Sequence, residues 1–258
     1  MPRIVLLGSG ASGSTLLSMG LALSPEVTAL GEVSEFRRIK REQHACTCGV
    51  VFGDCRLWGP LLREAAERDL SVAEFLARAV DRASDLESTP WCVDSVKNDA
   101  ALAAEKALGL ADTRVVYLVR HPCGYVYSQL NSGLDFQYAI DAWVDEQQNT
   151  LSVLAQLDEP GLTIQYEQLA REPGRTLAEV AAFVGIAGPF GERGTRWDWE
   201  RAPWGDRQHI LCGAGWRLSG RPSSVSEDVR WKFALHPAAQ AKVVDTCRPL
   251  LRQLGYAD

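Results

Sequence analysis

Eight residues near the start of the chain, Gly8-Ser-Gly-Ala-Ser-Gly-Ser-Thr15, carry three glycines and four hydroxyls. They follow an unbroken apolar run, Ile4-Val5-Leu6-Leu7, and precede apolar positions at Leu16, Leu17, Gly20 and Leu23 with helical spacing. A strand that breaks into a glycine loop and opens a helix gathers backbone amides and the helix's positive end on one spot. That spot suits a phosphate or a sulfate. As a Walker A sequence, Gly8 and Gly13 fit, but Ser14 stands where the phosphate-binding lysine belongs, which weakens a kinase or NTPase reading. As a dinucleotide fingerprint, Gly8, Gly10 and Gly13 all fit, and Glu32 lies nineteen residues later as a ribose acid. The loop alone does not choose the anion.

A second candidate comes from Thr113 to Ser128. The apolar stretch Thr113–Val119 reads as a core strand ending in Arg120-His121-Pro122, and Ser128 falls two turns into the helix that follows. The arginine fork and the serine hydroxyl can face one phosphate at the same sheet edge. A third strand, from Trp91, delivers Asp94 and Lys97 at its end, either to a ligand or to each other, and an alanine-rich helix to Leu108 follows. His44, Cys46, Cys48 and Cys55 are zinc-type ligands within twelve residues. Their spacing is tighter than paired C-x₂-C arms, so the expectation is an ordered insert with buried or reversibly paired thiols and no metal; zinc is the alternative.

The elements that must position these residues are legible as periodicities. Pro60–Leu86 reads as two amphipathic helices, the second opened by a Ser71–Glu74 capping box. Ala139–Leu157, Pro173–Val184 and Pro237–Leu254 read as further helices, and Val27–Leu30 and Leu162–Glu167 as strands. Strands alternating with helices predict an α/β protein: a central parallel sheet with helices on both faces. The expectation is one domain over residues 1–258, with an insert at about 33–60 and a long tryptophan-rich loop at about 188–230 carrying Trp197, Trp199, Trp204 and Trp216.

Composition narrows the partners. Twenty-seven basic against 33 acidic residues give a net charge of −6, which provides no basic surface for nucleic acid. A phosphorylated ligand therefore needs locally gathered arginines and lysines. The apolar run after Arg3 is too short for a signal peptide, and no stretch is long enough to span a membrane, so a cytoplasmic location is expected. Seven cysteines, an odd number in unrelated settings, predict reduced thiols.

Several of these segments resemble those of sulfotransferases that use 3′-phosphoadenosine 5′-phosphosulfate (PAPS). Ser12-Gly-Ser-Thr15 resembles the family's phosphosulfate loop, and Val-Arg120-His-Pro with Ser128 resembles its 3′-phosphate motif. Tyr166-Glu-Gln-Leu followed by a proline-started helix is similar to the family's last strand and helix. His209…Gly213-Ala…Arg217 is similar to its nucleotide-covering segment, with Ala214 in place of asparagine, and the Cys46–Trp58 insert resembles one in some bacterial members. The resemblance implies a P-loop-like three-layer fold. It also implies PAPS, with 3′,5′-ADP as product, held by Gly10, Ala11, Ser12, Gly13, Ser14, Thr15, Arg120, Ser128, Gly213 and Arg217. Sulfuryl transfer to a hydroxyl or amine of a small-molecule acceptor follows, with no metal. Glu32, in the Gly-Glu that resembles a catalytic position of tyrosylprotein sulfotransferases, is the first-choice base; His44 is the reserve, ahead of His209 and His121. Lys97 resembles a lysine that neutralises the sulfuryl oxygens. Ala11 departs from the family, which carries lysine or arginine there. Two alternatives stay open: an NAD(P)-dependent Rossmann oxidoreductase, and a nucleotide-binding protein with weak turnover.

Overall fold

The computed structural model describes residues 2–97, 113–157, 160–188, 190, 208–218 and 225–256. Five strands, β1 (Arg3–Leu7), β2 (Val27–Gly31), β3 (Trp91–Val96), β4 (Thr113–Val119) and β5 (Leu162–Gln165), form one sheet in the order β2-β3-β1-β4-β5. Every pairing is parallel. A parallel sheet is covered on both faces, which explains why β1 and β4 read as continuous apolar runs. Successive side chains point to opposite faces: Ile4 and Leu6 enter one core cluster, Val5 and Leu7 another.

Helix α1 (Ser14–Leu21) follows β1; α2 (Trp58–Arg68) and α3 (Val72–Glu87) lie between β2 and β3. After β4 come α4 (Pro122–Asn131) and α5 (Phe136–Leu154); after β5, α6 (Tyr166–Arg171) and α7 (Pro173–Val184); α8 (Trp231–Ala234) and α9 (Pro237–Gln253) close the chain. Leu17 and Leu21 of α1 and Leu177 and Val180 of α7 cover one face of the sheet. Val126, Ile140, Trp143 and Val243, from α4, α5 and α9, cover the other. Beyond β2, the insert joins α2 and α3 in a third cluster around Phe52, Trp58 and Phe75.

The expected α/β architecture is therefore present, and the Ser71–Glu74 capping box forms in both directions. One boundary differs. Tyr166 and Glu167, read as the end of a strand, open α6 instead, because Leu162–Gln165 alone pairs with β4. The alanine-rich helix to Leu108 and the residues Trp197, Trp199 and Trp204 lie outside the described residues. No helix among the described residues is long and apolar enough to cross a membrane.

Candidate active site

The site begins with two strands that are neighbours in the sheet. β1 pairs with β4, Leu7 opposite Tyr117, so the loop leaving β1 and the turn carrying Arg120 emerge side by side. Strand order reverses here: β2 and β3 lie on one side of β1, β4 and β5 on the other. Such a switch point opens a crevice at the carboxyl ends of the strands.

The glycine loop is shaped by close approaches. A Cβ on Gly8 would sit 2.5 Å from the Leu118 carbonyl oxygen, so the loop can leave β1 against β4 only as glycine. Gly13 has φ +93°, and a Cβ there would meet the Tyr166 ring at 2.7 Å. Gly13 also caps α1 with no side-chain hydrogen bond, leaving the helix's first amides for an anion. The loop is tied from two sides. Arg120 Nη1 donates to the Ala11 carbonyl at 3.1 Å, and Lys97 Nζ, from the end of β3, donates to Ser9 O at 3.0 Å and Ser12 Oγ at 3.1 Å. Ala11 itself adopts φ 60°, an uncommon conformation for a residue with a side chain.

A cavity of about 780 Å³ opens above this loop. It is lined by Ala11, Gly13, Ser14, Thr15 and Leu16 from the loop and α1, Glu32 after β2, Arg120 and Ser128 from the β4–α4 unit, and Tyr166 of α6. The segments Gly213–Trp216 and 225–230 complete the wall with Asp228 and Arg230. The first of these segments is brought in by strand-like bonds: His209 N donates to Ala29 O and Leu211 N to Leu30 O, both at 2.9 Å, so the chain runs along the β2 edge. Ala214 N then donates to Thr15 Oγ1 at 3.0 Å, and a Cβ on Gly213 would lie 2.6 Å from that hydroxyl.

Two guanidinium groups converge on one carboxylate. Arg120 Nη2 lies 3.0 Å from Asp228 Oδ2, and Arg230 reaches both oxygens of Asp228 at 2.7 and 2.9 Å. The hydrogen bonds of Arg230, with those of Arg120, hold the Asp228 carboxyl well below the usual carboxylate range. The Arg120 guanidinium also stacks 4.6 Å over the Tyr166 ring.

The ionisable groups at the strand ends are perturbed chiefly by burial. Burial raises Glu32, against the opposing charge of Lys97. Burial lowers Lys97 to about 8, resisted by Glu32 and Glu146. Glu146 on α5 is raised by burial to about 7, with the Tyr125 hydroxyl bond and Lys97 pulling the other way. A carboxylate and an amine with pKa values shifted toward neutrality form a pair suited to proton transfer and charge stabilisation.

Of the residues singled out from sequence, Ala11, Gly13, Ser14, Thr15, Glu32, Arg120, Ser128 and Gly213 line this one cavity. Ser12 lies beneath the loop as a partner of Lys97, and Gly10 faces Gln129. Arg217 turns its Nη1 back to the carbonyls of Gly213 and Ala214. The histidines stand elsewhere. His44 is exposed and accepts from Lys40 N. His121 caps Cys123 N, stacks on Trp231, and is pushed down to about 4 by burial. His209 is fully buried against the cysteines of the insert. Sequence reading missed Asp228, Arg230, Tyr166 and Glu146. The only local signal was the spacing of two between Asp228 and Arg230; Tyr166 read as scaffold.

Comparisons with known proteins bear on the family and the fold. The profile of the sulfotransferase family matches residues 2–189. A search of curated protein sequences finds no match. Among solved structures, the sulfotransferase domain of the Synechococcus PCC 7002 olefin synthase is similar at 19% identity and TM-score 0.69, covering 97% of this chain and 94% of that one. The sulfotransferase domain from the curacin biosynthetic pathway is similar at 21% identity and TM-score 0.59, covering 100% and 99%. Mouse sulfotransferase SULT7A1, complexed with PAP, is similar at 15% identity and TM-score 0.55, covering 98% and 88%. At these identities the structures establish the fold. The matches give no support to a nicotinamide-dependent oxidoreductase or to a nucleotide-binding protein with weak turnover.

Proposed function

Since the chain belongs to the sulfotransferase family and its chemistry is sulfuryl transfer, we propose that its donor is PAPS and its acceptor a hydroxyl or amine on a small molecule. The observation that carries this reading is one cavity lined by both an uncapped helix start and the Arg120–Ser128 pair. Its volume of about 780 Å³ lies within the range of small-ligand sites, about 300–1,000 Å³. The residues fit a doubly phosphorylated nucleotide. Asp228 already stands between two guanidinium groups as an anion, and a phosphate at the same place would take over those bonds.

In this reading the amides of α1, with the hydroxyls of Ser14 and Thr15, hold the 5′-phosphosulfate, and Arg120, Ser128 and Arg230 hold the 3′-phosphate. Bound there, the nucleotide supplies an activated sulfuryl group and leaves as 3′,5′-ADP. Glu32 accepts the acceptor's proton at a carboxylate oxygen; burial makes it a stronger base than a free carboxylate. Lys97, fixed under the loop by Ser9 and Ser12, supplies the positive charge that Ala11 does not. Because the loop, Arg120 and Lys97 are bonded to one another, the charges are oriented before the ligand arrives, which is where such catalysts gain most.

A thermal-shift panel tests the donor. A nucleotide at a hundred times its Kd stabilises the protein by about 2.7 kcal/mol. 3′,5′-ADP is expected to raise the melting temperature, with 5′-AMP weaker and NADH without effect, and labelled PAPS to yield labelled acceptor. Stabilisation by NADH but not by 3′,5′-ADP contradicts the assignment.

A further inference from the structure

Outside the residues that line the cavity, the insert and the C-terminal segment meet in a cluster with a different chemistry. Cys46 opens a tight hairpin turn that contains Cys48, in which Cys46 N donates to Val50 O at 2.8 Å and Gly49 takes φ +95°. Cys55 lies just before α2, and His209 comes from the segment bonded along β2. The side-chain ligand atoms of these four residues all lie within 4.8 Å of one another. Cys46, Cys55 and His209 are buried and Cys48 is half-buried.

We propose that Cys46, Cys48, Cys55 and His209 form a structural zinc site that fastens the C-terminal segment to the insert. Four of the six separations among these ligand atoms lie close to those of a tetrahedron. Zinc–sulfur bonds of about 2.3 Å and zinc–nitrogen bonds of about 2.0–2.1 Å place sulfurs about 3.8 Å apart and sulfur about 3.6 Å from nitrogen. Cys55 Sγ is 3.7 Å from Cys46 Sγ and 3.7 Å from Cys48 Sγ. His209 Nδ1 is 3.3 Å from Cys55 Sγ and 3.8 Å from Cys46 Sγ. A disulfide needs sulfurs about 2.05 Å apart, and none of Cys46, Cys48 and Cys55 is in one.

The surroundings complete the site. His209 Nε2 lies 3.1 Å from Glu87 Oε1, the carboxylate partner that fixes a metal-bound imidazole's tautomer and leaves Nδ1 to the metal. Arg56 holds the same Glu87 oxygen at 2.7 Å. The Trp58 amide at the start of α2 points at Cys55 Sγ from 3.5 Å, and the helix's positive end favours a thiolate there. Binding exchanges one Zn²⁺ for three thiol protons, and imidazole coordinates through its lone pair. Four protein ligands fill the tetrahedron, which makes the site structural rather than catalytic, and three thiolates with one imidazole select zinc over harder ions. The sequence grouped His44 with the cysteines; the folded chain replaces it by His209, 163 residues from Cys46. That exchange removes the crowding of four ligands in twelve residues. It also ties down the segment whose next residues, Gly213 and Ala214, close over Thr15.

Elemental analysis of the purified full chain is expected to find one zinc per molecule. X-ray absorption at the zinc edge is expected to show three sulfurs at about 2.3 Å and one nitrogen at about 2.0–2.1 Å. His209→Ala should weaken zinc retention against a competing chelator by more than about tenfold, and His44→Ala should leave it unchanged. Absence of zinc after reconstitution, stoichiometric iron in its place, a Cys48–Cys55 disulfide in mass spectra, or a different sulfur count each overturns the proposal. So does equal retention in the two histidine variants. The absorption spectrum is read on the unaltered protein, so the test holds even where a variant fails to fold.

Discussion

At the scale of single residues, the site is organised by the burial of opposite charges at strand ends. Glu32 has its pKa raised by burial, so folding holds its proton more tightly than the unfolded chain does. The stability this contributes is present below the unfolded value and is lost as pH rises through the folded one. Glu32→Gln should therefore melt higher than the unaltered protein at neutral pH. The gain should vanish as pH falls through the carboxylate range, and sulfuryl transfer should be lost throughout. Differential scanning at several pH values, with a transfer assay alongside, checks both halves. Burial pushes Lys97 down to about 8, so kcat/KM should fall as pH rises through that value. Lys97→Met should lose this alkaline limb and slow single-turnover transfer by about 10²–10³-fold, the cost typical of removing one charge-stabilising group. An unchanged rate removes Lys97 from the mechanism. Arg120, Ser128 and Glu32 were legible in the sequence because each follows a recognisable strand. Asp228 was not, because its partner Arg120 is 108 residues away, and Arg230 joins the site only through Asp228.

At the scale of elements, the strand–loop–helix unit at the N-terminus was readable from its residues alone. An apolar run long enough for one buried strand, glycines, and a 3.6-residue apolar period specify β1, loop and α1 without tertiary information. The capping box of α3 was readable for the same reason, since its four residues carry both hydrogen bonds. Leu162–Glu167 shows where such reading stops. Its residues suit a strand throughout, and the end at Gln165 is set by how far β4 extends beside it. Gly13 tests whether the loop's geometry matters as an element. An alanine there must hold φ +93°, at a cost of about 1–2 kcal/mol, and must displace the Tyr166 ring. Gly13→Ala should thus lower stability modestly and weaken 3′,5′-ADP binding more than stability explains. Titration calorimetry and denaturant melts on the same preparation separate the two effects.

At the scale of the whole molecule, strand order does the work. Because β1 and β4 are adjacent, a loop at residue 8 and an arginine at residue 120 share one crevice, and the segment laid along β2 closes it from the far side. Order of strands is not encoded in local periodicity, so the convergence of the two motifs follows from the sheet and from neither motif alone. The most direct test of the shared crevice is the affinity of two nucleotides for Ser128→Ala, measured by titration calorimetry. Ser128 lines the cavity on the Arg120 side, and a hydrogen bond to a charged group contributes about 1.5–3 kcal/mol. The expected result is a loss of about 10- to 100-fold for 3′,5′-ADP with 5′-AMP unchanged. Undiminished affinity for 3′,5′-ADP, or an equal loss for both nucleotides, contradicts the claim that one ligand bridges the two strand ends.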